Sequence, residues 1–127
     1  DEESISKKFK TYFHRTRPYS VDGTLHRCAN KPGKSTQTSY PSGHATVAYA
    51  MGAVLAKLLP PHAGAILARS SEFAENRLIC GVHYRSDIEA GHVLGMLIAE
   101  RLEEDPKFRA EFNASKAELR AIGLLSS

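Results

Sequence analysis

The chain has 127 residues, of which 42% are hydrophobic and 24% charged, and its formal net charge is +3. These values are ordinary for a globular domain, and so small a net charge does not by itself indicate a nucleic-acid partner. No apolar stretch approaches the roughly 18–20 uninterrupted residues that span a bilayer. We therefore predict one domain covering residues 1–127.

Positive charge is concentrated in one part of the chain. Eight Lys and Arg residues lie between Lys7 and Lys34, against the single acidic residue Asp22. Such a block is compatible with a solvated basic arm, a surface for nucleic acid or anionic lipid, or one wall of an anion site. Composition alone leaves these alternatives open.

In chain order, the first predicted elements are a short basic helix and a long loop. The helix covers residues 4–16 and ends before Arg17-Pro18, because the residue before a proline is pushed out of helical geometry. Residues 19–41 contain several Gly, Pro, Ser and Thr residues and are predicted as a loop, whose length is typical of a functional or disordered segment.

Four further helices are predicted from apolar residues at three- and four-residue steps, over 43–59, about 62–79, about 86–103 and about 106–119. Prolines and a glycine separate them, at Pro60-Pro61, Gly81 and Asp105-Pro106. On the second of the four, the apolar residues expected to face inward are Ile66, Leu67, Phe73 and Leu78. Strand patterns are nearly absent, so the predicted fold class is all-α.

The segment Pro41-Ser42-Gly43-His44 stands at the head of the helix predicted over 43–59. The first backbone N–H groups of a helix have no acceptor within it, and they form an anion site at its positive end. Gly43 would let a ligand approach the backbone, and His44 is placed to donate a proton to it. The plain alternative is that Ser42 is only an N-cap.

A second candidate cluster contains Arg77, His83 and Asp87. On one helical turn, residues four apart share a face, so the Asp87 carboxylate would fix the tautomer of His83 and leave its other nitrogen basic. The alternatives are an ordinary surface pair and a zinc site, for which His92 would be a further ligand.

Lys10 and Arg17, with Pro18, complete a third motif. The order Lys-x6-Arg-Pro, Pro-Ser-Gly-His, Arg-x5-His-x3-Asp resembles the tripartite signature of the type 2 phosphatidic acid phosphatase superfamily. The segment "ENRLICGVHYRSDIEAGHVLG" is most similar to the corresponding sequence of the bacterial class A non-specific acid phosphatases. The resemblance covers about residues 7–120. It departs at Asn76, where many members have Ser, and in length, since soluble members have helices ahead of the lysine motif.

The resemblance implies a helical bundle of the acid phosphatase/vanadium haloperoxidase type, without the family's N-terminal helices. It implies a metal-independent phosphomonoester hydrolase with no cofactor. His83 would form a phosphohistidine, Asp87 would orient it and His44 would protonate the leaving group. The phosphate-binding residues implied are Lys10, Arg17, Ser42, Gly43 and Arg77.

The implied partner is a phosphomonoester, either a small molecule or a lipid phosphate, with inhibition by phosphate-like oxyanions such as vanadate and no nucleic acid. A homo-oligomer or a partner chain would supply the missing helices. Two other functions stay open: a phosphatidic acid or lipid phosphate phosphatase, and a vanadium-dependent haloperoxidase.

The two cysteines, Cys28 and Cys80, fit no metal-binding spacing. From their number alone, one disulfide and two buried thiols are equally compatible. The resemblance to secreted and periplasmic enzymes implies that the disulfide forms and that the protein is periplasmic or secreted.

Overall fold

A computed structural model describes residues 2–28 and 35–125, which are mostly helical and contain no strand. The α-helices in these ranges are α1 (Glu2–Phe13), α2 (Pro18–Val21), α3 (Gly43–Leu58), α4 (Ala63–Ile79), α5 (Arg85–Leu102) and α6 (Pro106–Ala121). A 3₁₀ turn, Pro60–His62, joins α3 to α4. The predicted all-α class is confirmed. Part of the loop predicted over 19–41, residues 29–34, lies outside the described residues.

Local sequence explains where several helices begin and end. The Ser42 hydroxyl caps α3 by accepting a hydrogen bond from the N–H of Ala45, and Asp105 caps α6 with Pro106 in the first helical position. Helix α1 ends at Phe13, three residues before the predicted limit, because His14 takes a left-handed conformation with φ of 47°. The short helix α2 was not predicted.

Helix α3 is the central element and packs against α1, α4 and α5. The buried core beside it contains Ala45, Ala74 and Ile88, and the partly buried Tyr49 and Leu78 pack against them. Because alanine side chains are small, they allow the backbones of α3, α4 and α5 to pack close together.

Two glycines on α5 mark its closest approach to α3. A Cβ atom added to Gly91 would lie 2.7 Å from the carbonyl oxygen of Ser42, and one added to Gly95 would lie 2.5 Å from that of Thr46. Near the same end, the N–H of Ser42 donates to the carbonyl oxygen of Asp87 at 3.0 Å. The starts of α3 and α5, which carry two of the predicted motifs, are therefore held side by side.

The prediction of which α4 residues face inward was partly wrong. Leu67 is 41% exposed and Phe73 is 40% exposed, whereas Ser70 and Ala74 are buried. The small residues of α4 face α3, because this close contact leaves no room for larger side chains, and the large apolar residues lie to the side. No helix in the described ranges is both long enough and apolar enough to cross a membrane.

Candidate active site

A cavity of about 570 Å³ lies where α1 and the start of α3 meet the segment that precedes α5. Five of the predicted site residues line it: Lys10, Arg17, Gly43, His44 and His83. Its remaining lining includes the polar residues Ser6, Lys7, Ser35 and Thr38 and the apolar residues Val47 and Phe73. Three motifs that are up to 73 residues apart in sequence thus share one cavity.

His83 lies two residues before α5, so the expectation that it shares a helical turn with Asp87 was wrong. The two side chains nevertheless meet, with Nδ1 of His83 lying 3.3 Å from Oδ2 of Asp87. Asp87 reaches back from the first turn of α5, where its Oδ2 also accepts from the N–H of Tyr84 at 2.9 Å. The two side chains therefore meet at the start of α5, and not because they share one face of a helix.

The charge state of the pair follows from its surroundings. Burial raises the pKa of Asp87, but hydrogen bonds from His83, Ser39 and the Tyr84 N–H, together with the charge of Arg15, outweigh it and leave this pKa below its ordinary value. Desolvation by burial, opposed by the Asp87 bond but reinforced by the charges of Arg17 and Lys10, lowers the pKa of His83 to about 4. At neutral pH, His83 is therefore uncharged beside an ionised carboxylate.

The tautomer of His83 follows from the same contacts. An ionised carboxylate can only accept, so Nδ1 of His83 carries the proton and Nε2 carries the lone pair. Nε2 lies 3.3 Å from Nη1 of Arg17, which can donate to it. The basic nitrogen of a nearly buried imidazole, 4% exposed, is thus turned toward a cation at the cavity.

Backbone carbonyls hold the two cations in place. Arg17 donates to the carbonyl oxygens of Val82 at 2.9 Å and Thr38 at 3.0 Å. Nζ of Lys10 donates to the carbonyl oxygens of Thr38, at 2.8 Å, and Pro41. Desolvation, followed by repulsion from Arg17, lowers the pKa of Lys10 to about 8. Both side chains are half-buried and remain positively charged at neutral pH.

The start of α3 forms another part of the cavity wall. Ser42 itself does not line the cavity: it is fully buried, and its oxygen accepts from the N–H of Ala45 at 3.3 Å, so it acts as an N-cap. Gly43 lines the cavity, and a Cβ there would lie 3.2 Å from Oγ of Ser6. That Ser6 hydroxyl is buried and has no hydrogen-bond partner among the described residues. His44 is exposed, with its ring 6.2 Å from that of Phe73.

Arg77 is not brought to the cavity wall. It lies in the last turn of α4, where its guanidinium carbon is 6.0 Å from the ring of Phe73 and its Nη2 is 3.7 Å from Sγ of Cys80. Its Nε is buried without an acceptor among the described residues. Cys80 follows this helix and forms a disulfide with Cys28, which connects residues 52 positions apart.

Two residues that donate hydrogen bonds to the Asp87 carboxylate had no role predicted from the sequence. Arg15 donates from Nη1 to Oδ1 of Asp87 at 2.8 Å, and Ser39 donates from Oγ to Oδ2 at 2.5 Å. In the sequence, Arg15 is one of the eight basic residues between Lys7 and Lys34 and belongs to none of the three motifs. Its place two residues before Arg17 is the one sequence signal that could have indicated its role, whereas Ser39 lies 48 positions from Asp87 and has none.

Three other charged or titratable residues near the motifs lie outside the cavity lining. Arg85 forms an exposed pair with Glu75 through two contacts of 2.8 Å, and His14 is exposed. His92, the further ligand of a zinc site, stacks on Tyr49 with ring centroids 3.7 Å apart. Within residues 2–28 and 35–125, no three or more His, Cys, Asp or Glu side chains are grouped so as to hold a metal ion.

Comparison with known proteins finds similarity over the part of the chain that contains the three motifs. The family model described as PAP2 superfamily matches residues 3–102. An acid phosphatase of Zymomonas mobilis is 37% identical over 112 residues, which cover 87% of this chain and 42% of that protein. A non-specific acid phosphatase of Providencia stuartii is 30% identical over 119 residues, which cover 92% of this chain and 48% of that protein.

A lipid A 1-phosphatase of Rhizobium johnstonii is also similar, with 38% identity over 92 residues that cover 72% of this chain and 38% of that protein. The chain spans less than half the length of these curated relatives. The resemblance seen in the three motifs is confirmed: the chain belongs to the PAP2 superfamily.

Proposed function

We propose that residues 1–127 form a single catalytic domain that hydrolyses phosphomonoesters without a metal, through a phosphohistidine on His83. The observation that carries this proposal is the cavity in which a neutral, oriented imidazole faces two cations, a helix N-terminus and a second histidine. The names of the similar proteins, acid phosphatase and non-specific acid phosphatase, support the reaction class.

The first step is attack by the lone pair of Nε2 of His83 on phosphorus. The Nε2–P bond forms as the bond from phosphorus to the ester oxygen breaks. The Nδ1 proton stays on the ring, and the Asp87 carboxylate, 3.3 Å away, stabilises the positive charge that develops there. A neutral histidine is required, and the burial that lowers its pKa keeps it neutral at pH 7.

Positive charge binds the phosphate and stabilises the transition state. Lys10 and Arg17 line the cavity, and Arg17 exchanges its contact with His83 for a phosphate oxygen. Phosphoryl transfer depends mainly on positioning and charge stabilisation, so cations and the free N–H groups of a helix start can supply both. Gly43 contributes its N–H, and Ser42 has a hydroxyl proton left to donate while its oxygen caps α3.

Arg77 is proposed as a third cation on the phosphate. Its buried Nε has no acceptor among the described residues, and a buried guanidinium N–H without an acceptor is costly. A phosphate oxygen would supply that acceptor after a small movement of the side chain past Phe73, whose ring lies 6.0 Å away and lines the cavity.

His44 carries the proton in both steps. In its protonated form it donates to the leaving ester oxygen, and the alcohol departs. The neutral His44 then takes a proton from water, whose oxygen attacks phosphorus while the Nε2–P bond breaks. Inorganic phosphate leaves, and His83 returns to its neutral form.

The proposal extends to the compartment, the inhibitor and the partner of the domain. The disulfide between Cys28 and Cys80 supports an oxidising compartment, either the periplasm or the outside of the cell. Vanadate, which has the shape and charge of phosphate, is expected to inhibit by occupying the same cavity. A second copy or a partner chain is proposed to cover the apolar side chains that α4 leaves exposed.

A lipid phosphate is the second candidate substrate, favoured by one observation. Val47 and Phe73 line both the phosphate cavity and an apolar groove that continues between α3 and α4 along Met51, Leu55 and Ile66. His44, which would protonate the leaving group, lies beside Phe73. An acyl chain on the leaving group would therefore extend into this groove, and a lipid A 1-phosphatase is among the similar proteins.

The decisive experiment measures hydrolysis of an aryl phosphate in EDTA by the wild type and by His83→Ala, with and without vanadate. We expect turnover in EDTA, inhibition by vanadate, a loss of at least about 10³-fold in the variant and an acid-labile phosphorylated protein in the wild type alone. A fully active His83→Ala variant would refute the mechanism. Comparing short-chain and long-chain alkyl phosphates distinguishes the two substrate classes, and halide oxidation with added vanadate tests the haloperoxidase alternative.

A further inference from the structure

Asp87 receives more hydrogen bonds than an orienting carboxylate needs. Its Oδ2 accepts from Ser39 at 2.5 Å, from the Tyr84 N–H at 2.9 Å and from His83 at 3.3 Å, so the bond to His83 is the longest of the three. Its Oδ1 accepts from Arg15 at 2.8 Å. A fixed guanidinium therefore shares the charge of the same carboxylate that faces the nucleophile.

Arg15 is held in this position from several sides. Its Nη1 also donates to Oγ of Ser86 at 2.7 Å, and its guanidinium carbon lies 4.3 Å from the centre of the Tyr84 ring. Its carbonyl oxygen accepts from the N–H of Ser39 at 3.0 Å. The two side chains that bind opposite oxygens of Asp87 are thus joined to each other through the backbone.

Building on the proposed function, we propose that Arg15 is a positioning residue, which acts through Asp87 to fix the orientation of His83 and to limit its basicity. The ion pair at Oδ1 reduces the negative charge available to His83, so Asp87 stabilises a protonated imidazole less than an unpaired carboxylate would. It also prevents the carboxylate from rotating away from Nδ1.

Other charged or titratable side chains surround the cavity that His83 lines, among them Lys7 of α1. Lys10 of α1, Arg17 before α2 and His44 at the start of α3 line the cavity with His83, whereas Arg77, in the last turn of α4, does not line it. Lys10 and Arg17 lower the pKa of His83 directly. Arg15 differs because its contact is with Asp87, so its effect on His83 requires that carboxylate.

The test compares Arg15→Gln and Arg15→Met, which retains an apolar stem against Tyr84, with Arg15→Lys, which keeps the charge. Arg85→Gln is the matched control, since it removes a neighbouring arginine that pairs with Glu75 instead. The readouts are kcat/KM for an aryl phosphate from pH 3 to 9 and the NMR titration of the His83 ring, which does not depend on turnover.

We expect Arg15→Gln and Arg15→Met to move the acid limb and the His83 titration upward by about one pH unit, because His83 gains basicity when Asp87 loses its cation. Arg15→Lys should recover at least half of the shift, and Arg85→Gln should leave both unchanged. In an Asp87→Asn background, the effect of Arg15→Gln on the titration should fall to less than half.

An unmoved His83 titration in both neutral variants would overturn the proposal, as would an equal shift with and without Asp87. Arg15 is 36% exposed, so its neutral variants are expected to fold. If both fail to fold, the role of Arg15 is structural and the proposal is wrong. These outcomes are separate from the proposed function, which depends on the activity of His83→Ala and not on the position of the acid limb.

Discussion

Nε2 of His83 lies 3.3 Å from Nη1 of Arg17, so the proposed nucleophile and a cation that would bind its substrate contact each other directly. The contact keeps the lone pair directed into the cavity and disfavours a proton on Nε2. Binding of a phosphate would replace this contact with two, one from Arg17 to an oxygen and one from Nε2 to phosphorus.

The activity should depend on pH through His83, which must be neutral, His44, which must be protonated, and Lys10. Because the pKa of His83 is lowered to about 4, the acid limb of kcat/KM is expected near pH 4 rather than near the usual value for histidine. The pKa of Lys10 of about 8 predicts that KM rises above pH 8, as this phosphate-binding cation loses its proton. Initial rates with an aryl phosphate from pH 3 to 10 measure both limbs, and a flat profile over pH 4–9 would contradict the assignment.

The substitution Gly43→Ala should be harmful because of one neighbour. The new Cβ would lie 3.2 Å from Oγ of Ser6, a contact tighter than normal packing that shifts α1 or α3 slightly at the cavity wall. We expect KM for an aryl phosphate to rise several-fold and the free energy of unfolding to fall by about 1 kcal/mol.

The matched control for that substitution is the pair of changes Gly43→Ala and Ser6→Ala. With the Ser6 hydroxyl removed, the nearest atom to the new methyl group would be Cβ of Ser6 at 4.0 Å, which is ordinary contact. Urea unfolding of the double variant should therefore recover the stability lost in the single one. No recovery would show that something other than this contact restricts residue 43.

Gly91→Ala should be among the most destabilising single-methyl additions in the chain. Its Cβ would lie 2.7 Å from the carbonyl oxygen of Ser42 and 2.8 Å from Cβ of Ala45, and neither neighbour can turn away. We expect a loss of about 3 kcal/mol or more, measured by urea unfolding. Gly64→Ala is the control: nothing lies within 4 Å, so helix propensity should raise stability by up to about 1 kcal/mol.

Breaking the disulfide should destabilise the domain substantially. The bond between Cys28 and Cys80 closes a loop with a sequence separation of 52, for which the chain-entropy model gives about 4 kcal/mol. The double substitution to serine should lower the free energy of unfolding by up to that amount in a urea titration. Thiol counting on the native protein should find no free thiol; two reactive thiols would contradict the pairing.

Much of the site could be predicted because the order of its three motifs resembles a family signature, whereas each motif taken alone also has an ordinary explanation. Lys10, Arg17, Gly43, His44 and His83 meet in one cavity as the motif order predicts. The spacing of four residues between His83 and Asp87 could not show that His83 precedes α5, because the same spacing is also typical of two residues on one helical face. Arg15 and Ser39 reach Asp87 only through tertiary folding.

The fold class was predictable from apolar spacing and the proline breaks, but the buried face of α4 was not. Leu67 and Phe73 have the periodicity of core residues, yet they are exposed because Ser70 and Ala74 occupy the narrow space against α3. Hydrophobicity alone ranks large residues above small ones, whereas the distance between two helices decides which of them fit.

Gly91 and Gly95 limit which positions of the domain can be substituted to change the proposed substrate selectivity. Any side chain there would push α5 from α3, and the start of α5 carries Asp87 while the start of α3 carries His44. A saturation library aimed at new leaving groups would therefore lose most of its members at these positions. Val47 and Phe73, which face the cavity without separating the two helices, are the positions at which such a library should begin.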